Sequence, residues 1–400
     1  MDKKKKKTKV SFKSILSYAV GAIIGIAFLF ISRRNTGAEA AEGFSLSGME
    51  LPITLLLILA ALFLGIVLHI ILHETGHLIA GLLSGYKFIS FSIGSIMIIK
   101  NNDRLRIKRF AIAGVGQCLM LPPESTNNTY PFTMSYLCGG LMNFIAGGIF
   151  FALFLFLKDI FLYAGEIFIP LAGMGPLFGL LNILPLKIGG LVTDGHNIVS
   201  LKKSEKARHA HWLLASAANR ISSGERAKNL PEKWFEFSEN YDFNDAILAN
   251  VATMGLARLI DRHDFTKARM LAERILNKGN KLIEVLKNET RCELLFLEIL
   301  RATSQESKSE IKRLFTPELE KYIKASKTQL SKHRLIYAYE KLVLLNDEKA
   351  GKTLAIFNRA CLAYPYTGDC ESEKELIGII NDLAVEHKKK LNVTVLSKIR

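Results

Sequence analysis

Cysteine is scarce in this chain. Only five occur in 400 residues, and Cys118, Cys138, Cys292, Cys361 and Cys370 fall at irregular spacing. That spacing gives no disulfide framework and suits a reducing compartment. Lys and Arg are missing from residues 35–50, which fits the outer side of a membrane. Between Glu166 and Asp194 there is no other carboxylate. Residues 205–400 lack any cluster of nucleophiles or metal-binding side chains. Chemistry is therefore to be sought in the first half.

What is present divides the chain in two. Residues 1 to 200 carry long apolar runs, while the remainder is rich in Lys, Glu and Arg with regularly spaced apolar residues. The expectation is an α-helical membrane protein followed by an all-α soluble domain. Three parts are expected: a basic segment and anchor at 1–34, a membrane domain at 50–200 and a cytoplasmic helical domain at 205–400. Four stretches, 14–32, 51–73 (running on past His77), 133–157 and 160–184, approach the ~20 residues of a span.

Charge orients these spans. Seven lysines at or before Lys13 outweigh Arg33 and Arg34 and hold the start of the first span in the cytoplasm. Ala38-Glu-Ala40 has the look of a signal cleavage site, but the long apolar region and the two preceding arginines favour an uncleaved anchor. Lys87, Lys100, Arg104, Arg106, Lys108 and Arg109 fit the cytoplasm, the connection at 158–165 returns outside, and the basic remainder lies inside. Both termini are expected in the cytoplasm, as a multi-pass protein of a bacterial cell membrane. The net charge of +16 then reflects topology and anionic lipid, and no nucleic-acid partner is expected.

HETGH, residues 73–77, sits late in the second apolar stretch. On a helix His73 and His77 lie one turn apart on one face, where their imidazoles can share a Zn²⁺. Glu74 beside them is placed to act as general base on water. Ionisable groups in an apolar span usually mark function or pairing. A catalytic zinc site takes three protein ligands, and Asp194 is the natural third, with His196 two residues on as a substitute.

The chain here resembles the site-2 protease family of intramembrane zinc metalloproteases. The resemblance rests on HETGH at 73–77, LLSGYKFISFSIG at 82–94, CGGLMNF at 138–144, and NILP at 182–185 followed by Asp194-Gly195. It covers about residues 50–198 and implies zinc held by His73, His77 and Asp194, with Glu74 as catalytic base. It also implies a substrate-orienting or oxyanion role for Asn182, and a packing or substrate contact at Asn143. The expected substrate is a membrane-anchored protein or peptide cut within or beside the bilayer. In the family's common pattern four residues separate the proline from the aspartate-glycine pair. Here eight separate Pro185 from Asp194. Gly189-Gly190 is the flexible point by which the longer loop could return Asp194 to the metal.

Supporting features carry two readings each. His69, one turn before His73, is either a support for the ligands or a packed histidine. Residues 86–117 read as strands, forming a small cytoplasmic β-hairpin region that either shields the site or offers an edge to an extended substrate. GQCLMLPPE, residues 116–124, reads as a loop, and its Cys118 is either a thiol that could touch the metal or, as the favoured reading, a reduced structural thiol. The sequons at Asn127, Asn288 and Asn392 fall on the cytoplasmic side and carry no meaning there.

In the soluble half, residues 264–279 have an acidic start, a helical apolar period and a closing Gly. Thr316-Pro317 opens another helix, and one ends before Pro365. Successive helix pairs suggest a tetratricopeptide-like array that could receive a protein partner, though no clean repeat emerges. A basic face there would suit anionic lipid. Two further functions compete with proteolysis. A non-catalytic scaffold of the same fold would have no need of Glu74. A transporter would show an inverted repeat, and none is visible.

Overall fold

The computed structural model describes residues 50–399 apart from 102–103, 111–115, 125–128, 189–190, 303–304 and 327. The expected first span at 14–32 lies outside the described residues, as do the expected anchor and the cleavage-like site. Among the described residues three helices are long and apolar enough to cross a membrane: Pro52–Leu83, Phe132–Leu157 and Ala164–Ile183. The chain is mostly helical and divides into two compact units.

The first unit is built on helices α1 (Glu50–Leu83), α2 (Phe132–Leu157) and α3 (Ala164–Ile183), followed by α4 (Asp194–Lys203). At about 1.5 Å per residue the 34 residues of α1 run about 50 Å, well beyond a hydrocarbon core of about 30 Å. Leu56, Phe63 and Leu83 stand exposed along it, as a lipid-facing surface requires. Its end is defined by hydrogen bonding. Gly85 takes a positive φ of 81°, Tyr86 N–H bonds Gly81 O at 2.9 Å, and Gly85 N–H bonds Leu82 O at 3.1 Å. This pairing satisfies carbonyls the helix would otherwise leave open, and it turns the chain sharply out of α1.

Helices α2 and α3 meet through small residues. A Cβ on Gly175 would lie 2.6 Å from the Cα of Gly147, and one on Gly179 would lie 3.0 Å from Gly140 O. Bare backbones can therefore touch, which is the main source of attraction where lipid removes the hydrophobic drive. Gly76 does the same for α1, since its Cβ would meet Cys138 O at 2.3 Å. These contacts fix the spacing of the three helices, and hence of the polar side chains between them.

Four strands, β1 (Lys87–Ile93), β2 (Ile96–Asn101), β3 (Arg104–Arg109) and β4 (Gly116–Leu121), form a sheet in the order β3-β2-β1-β4. Ser90 faces Ile99 and Ile99 faces Arg106 across antiparallel pairs. The loop expected at 116–124 is corrected here. Gly116–Leu121 is a strand, and only the Pro-Pro segment after it is irregular. The two prolines announced a loop, whereas the short run before them acquires its structure by pairing along β1.

The second unit comprises Phe88–Gly114, Leu119–Leu121 and everything from Ser204 onward. Most of the sheet thus packs with the helical half. Asn101 Nδ2 donates to Ser222 O at 3.0 Å, and the ring of Phe110 stands edge-on to Tyr364. Its longer helices are α5 (Glu205–Ser222), α6 (Ala246–Asp261), α7 (Phe265–Lys278) and α8 (Glu284–Arg301), and each packs on the next. Helices α9 (Gln305–Leu314), α10 (Pro317–Ala325), α11 (Leu330–Ala338), α12 (Asp347–Ala363) and α13 (Thr367–Ile399) follow. The caps explain the boundaries. Asp264 accepts from Lys267 N–H at the start of α7, Gly279 closes that helix, and Thr316 accepts from Leu319 N–H with Pro317 in the first turn of α10. Leu256, Phe296, Ile299 and Phe357 are central to one continuous apolar core. Arg334, almost wholly buried, is paired with Glu293 and Glu373 and lies over the ring of Phe296. A buried cation so paired holds its helices in one arrangement, because losing a partner would leave an uncompensated charge.

Candidate metal centre

Helix α1 carries His73 and His77 on one face, and their Nε2 atoms stand 3.1 Å apart. The Oδ2 atom of Asp194, the first residue of α4, lies 3.1 Å from His73 Nε2 and 3.3 Å from His77 Nε2. Tetrahedral zinc with bonds of about 2.0–2.1 Å needs donor atoms about 3.3 Å apart, so the triangle has the size of one face of that polyhedron. Among the described residues it is the one group of His, Cys, Asp and Glu side chains whose ligand atoms so converge. His196 is outside it.

The protonation pattern also fits a metal. His77 Nδ1 lies 2.7 Å from Ser135 O, and a carbonyl only accepts, so the ring's proton sits on Nδ1. Nε2 then presents a lone pair toward the other two donors. Burial pushes the Asp194 carboxyl up, but the two imidazoles facing it outweigh that effect and hold it at about 2. It is a carboxylate at neutral pH. A carboxylate oxygen and an imidazole lone pair converging within a few ångströms repel one another unless a shared proton or a metal cation lies between them. Two imidazoles and a carboxylate are a donor set that could hold zinc.

The long loop before Asp194 is accommodated without displacing it. Lys187–Ile188 and Leu191–Val192 pair as a short antiparallel hairpin that takes up the additional residues. Thr193 ties the hairpin's base: its hydroxyl donates to Leu184 O at 2.6 Å and accepts from Leu186 N–H at 3.0 Å. Gly189-Gly190, expected as the flexible point, lies outside the described residues. Gly195 matters for close approach, since a Cβ there would sit 1.8 Å from Ile183 O. Asp194 is thereby pressed against the end of α3.

Glu74 is buried beside the triangle. The backbone of Cys118 hydrogen-bonds its carboxylate, and a Cβ on Gly116 would lie 3.0 Å from its Oε1. The start of β4 therefore forms one wall of the site, and of its residues the sequence reading marks only Cys118. Burial pushes the Cys118 thiol up to about 12, with the Glu74 charge adding to the effect, so it remains a neutral thiol. Gly139 was also missed as a site residue, although it lies within the CGGLMNF motif. Its Cβ would fall 2.6 Å from His77 Nε2 and 2.7 Å from His73 Cε1, so any side chain there would enter the metal position.

The two asparagines are placed differently. Asn182 is half-buried near the end of α3, and its Nδ2 donates to Phe178 O one turn back. Asn143 is buried between His69 and His73, 3.2 Å from a ring nitrogen of each. It therefore touches a candidate ligand.

Against known proteins, the model of peptidase family M50 matches residues 61–358. The chain belongs to this family, the site-2 protease family of membrane-embedded metalloproteases. The match runs past the stretch that carries the motifs and well into the helical unit. No curated protein and no solved structure matches the chain.

Proposed function

We propose that this protein is an intramembrane zinc metalloprotease that hydrolyses peptide bonds of membrane-anchored proteins or peptides within or beside the bilayer. The observation that carries the proposal is the convergence of His73 Nε2, His77 Nε2 and Asp194 Oδ2 within 3.3 Å of one another, with Glu74 buried alongside. Zinc at that position would polarise the scissile carbonyl and acidify water. Glu74 takes the proton of the attacking water, whose oxygen joins the carbonyl carbon. It later delivers that proton to the leaving amine as the C–N bond breaks. Asn182, near the end of α3, orients substrate or stabilises the oxyanion. The start of β4 lies on the sheet's edge beside Glu74 and supports a reading in which an extended substrate pairs there.

The same reading includes a fourth span at 14–32 and both termini in the cytoplasm of a bacterial cell. The helical unit is read as a tetratricopeptide-like array receiving a protein partner. The alternative, a scaffold that only binds peptides, gives no reason to keep a buried carboxylate beside two imidazoles.

Metal analysis tests the proposal. Protein purified in detergent should carry about one equivalent of zinc, and His73→Ala and His77→Ala should each lose it. Full zinc occupancy in the doubly substituted protein would remove the metal centre from this position.

A further inference from the structure

His69 and Asn143 stand in line behind His73. His69 is wholly buried, and Asn143 is 1% exposed. His69 Nε2 lies 2.9 Å from Leu171 O, in the part of α3 between Pro170 and Pro176. Its Nδ1 lies 3.2 Å from the Oδ1 end of the Asn143 amide, and the Nδ2 end is 3.2 Å from His73 Nδ1. Phe150 and Phe178 flank the His69 ring.

Donor and acceptor roles decide how this row works. Leu171 O only accepts, so His69 carries a proton on Nε2. With the amide oxygen toward His69, Nδ1 would need a second proton, making a buried imidazolium among aromatic rings. The amide nitrogen would then donate to His73 Nδ1, forcing the His73 proton onto Nε2, where a metal ligand needs a lone pair. Turning the amide over by 180° removes both conflicts and leaves its shape unchanged. Amide oxygen and nitrogen are assigned by their partners, and here the partners favour the turned amide.

We infer that His69 and Asn143 form a hydrogen-bond relay that holds His73 in its metal-binding tautomer. His73 Nδ1–H donates to the Asn143 oxygen, the Asn143 amide N–H donates to His69 Nδ1, and His69 Nε2–H donates to Leu171 O. All four groups are satisfied without a charge. The Nε2 lone pair of His73 points at His77 and Asp194, as Ser135 O achieves for His77. His69 is a positioning residue, two hydrogen bonds from the ligand atom. This inference rests on the proposal that His73 binds the metal.

Two measurements on the full chain in detergent test it. In ¹⁵N spectra of histidine-labelled, metal-free wild type, the His73 proton should reside on Nδ1, and in Asn143→Leu it should be shared between both nitrogens. In competition with a zinc-chelating dye, Asn143→Leu and His69→Phe should each weaken zinc binding by about 10–100-fold. Asn143→Asp keeps the acceptor for His73 and should retain binding. His69→Gln keeps one acceptor and one donor and should recover much of what His69→Phe loses. A merely packing role for His69 would be served by phenylalanine. The relay is overturned if the wild-type proton sits on His73 Nε2, or if zinc affinity is unchanged in both Asn143→Leu and His69→Phe. His73→Ala separates the two levels: if it loses zinc while those variants do not, the metal reading stands and the relay falls. If it keeps zinc, both fall.

Discussion

Glu74→Gln is expected to keep its zinc and its fold while peptide-bond cleavage drops by about 10²–10⁴-fold. The amide is nearly the same size as the carboxylate, so it fills the same space against Gly116 and Cys118. What it loses is the ability to accept a proton from water at neutral pH. Glu74 is not among the three converging donors, so metal content should not follow activity. Membranes containing the variant should accumulate the uncut substrates, which can then be identified by mass spectrometry against wild type. Cleavage at the wild-type rate would move the proton transfer to another group.

Asp194→Ala is expected to weaken zinc binding by more than the ~100-fold upper range for a supporting partner, and to abolish cleavage. His196→Ala should do neither. In sequence the two residues compete, because an extended segment would place both on the same side. Folding separates them. Asp194 begins a helix, successive residues of a helix point about 100° apart, and only Asp194 reaches the two Nε2 atoms. The comparison is read as bound zinc and as cleavage in the two variants. Loss of metal from His196→Ala with retention in Asp194→Ala would reverse the assignment of the third ligand.

The parts of the centre legible in the sequence are those that local geometry determines. Positions 73 and 77 share a helix face wherever that helix lies, and the carboxylate-free stretch before Asp194 leaves few candidates for a third donor. The three apolar helices and the caps at Asp264 and Thr316 were legible for the same reason. Contacts between distant backbones were not. Gly139 faces the two histidines only because α2 packs tightly on α1, and Gly195 is needed only because α4 begins against Ile183 O. Nor does the pattern of GQCLMLPPE show a strand, since its partner is the distant run Lys87–Ile93; the first residues of that strand line Glu74. Eight residues separate Pro185 from Asp194, against four in the family's common pattern. Their hairpin pairing and the Thr193 hydroxyl convert the extra length into a fixed return.

The central claim is zinc-dependent proteolysis by one centre, and metal removal tests it most directly. Cleavage of a membrane-anchored peptide by the purified protein would be followed before chelation, after the chelator is washed out, and after zinc is restored. The account predicts that stripping abolishes cleavage and that about one equivalent of Zn²⁺ restores it, with no recovery in the His73→Ala, His77→Ala double variant. Cleavage by fully stripped protein at the untreated rate would contradict it.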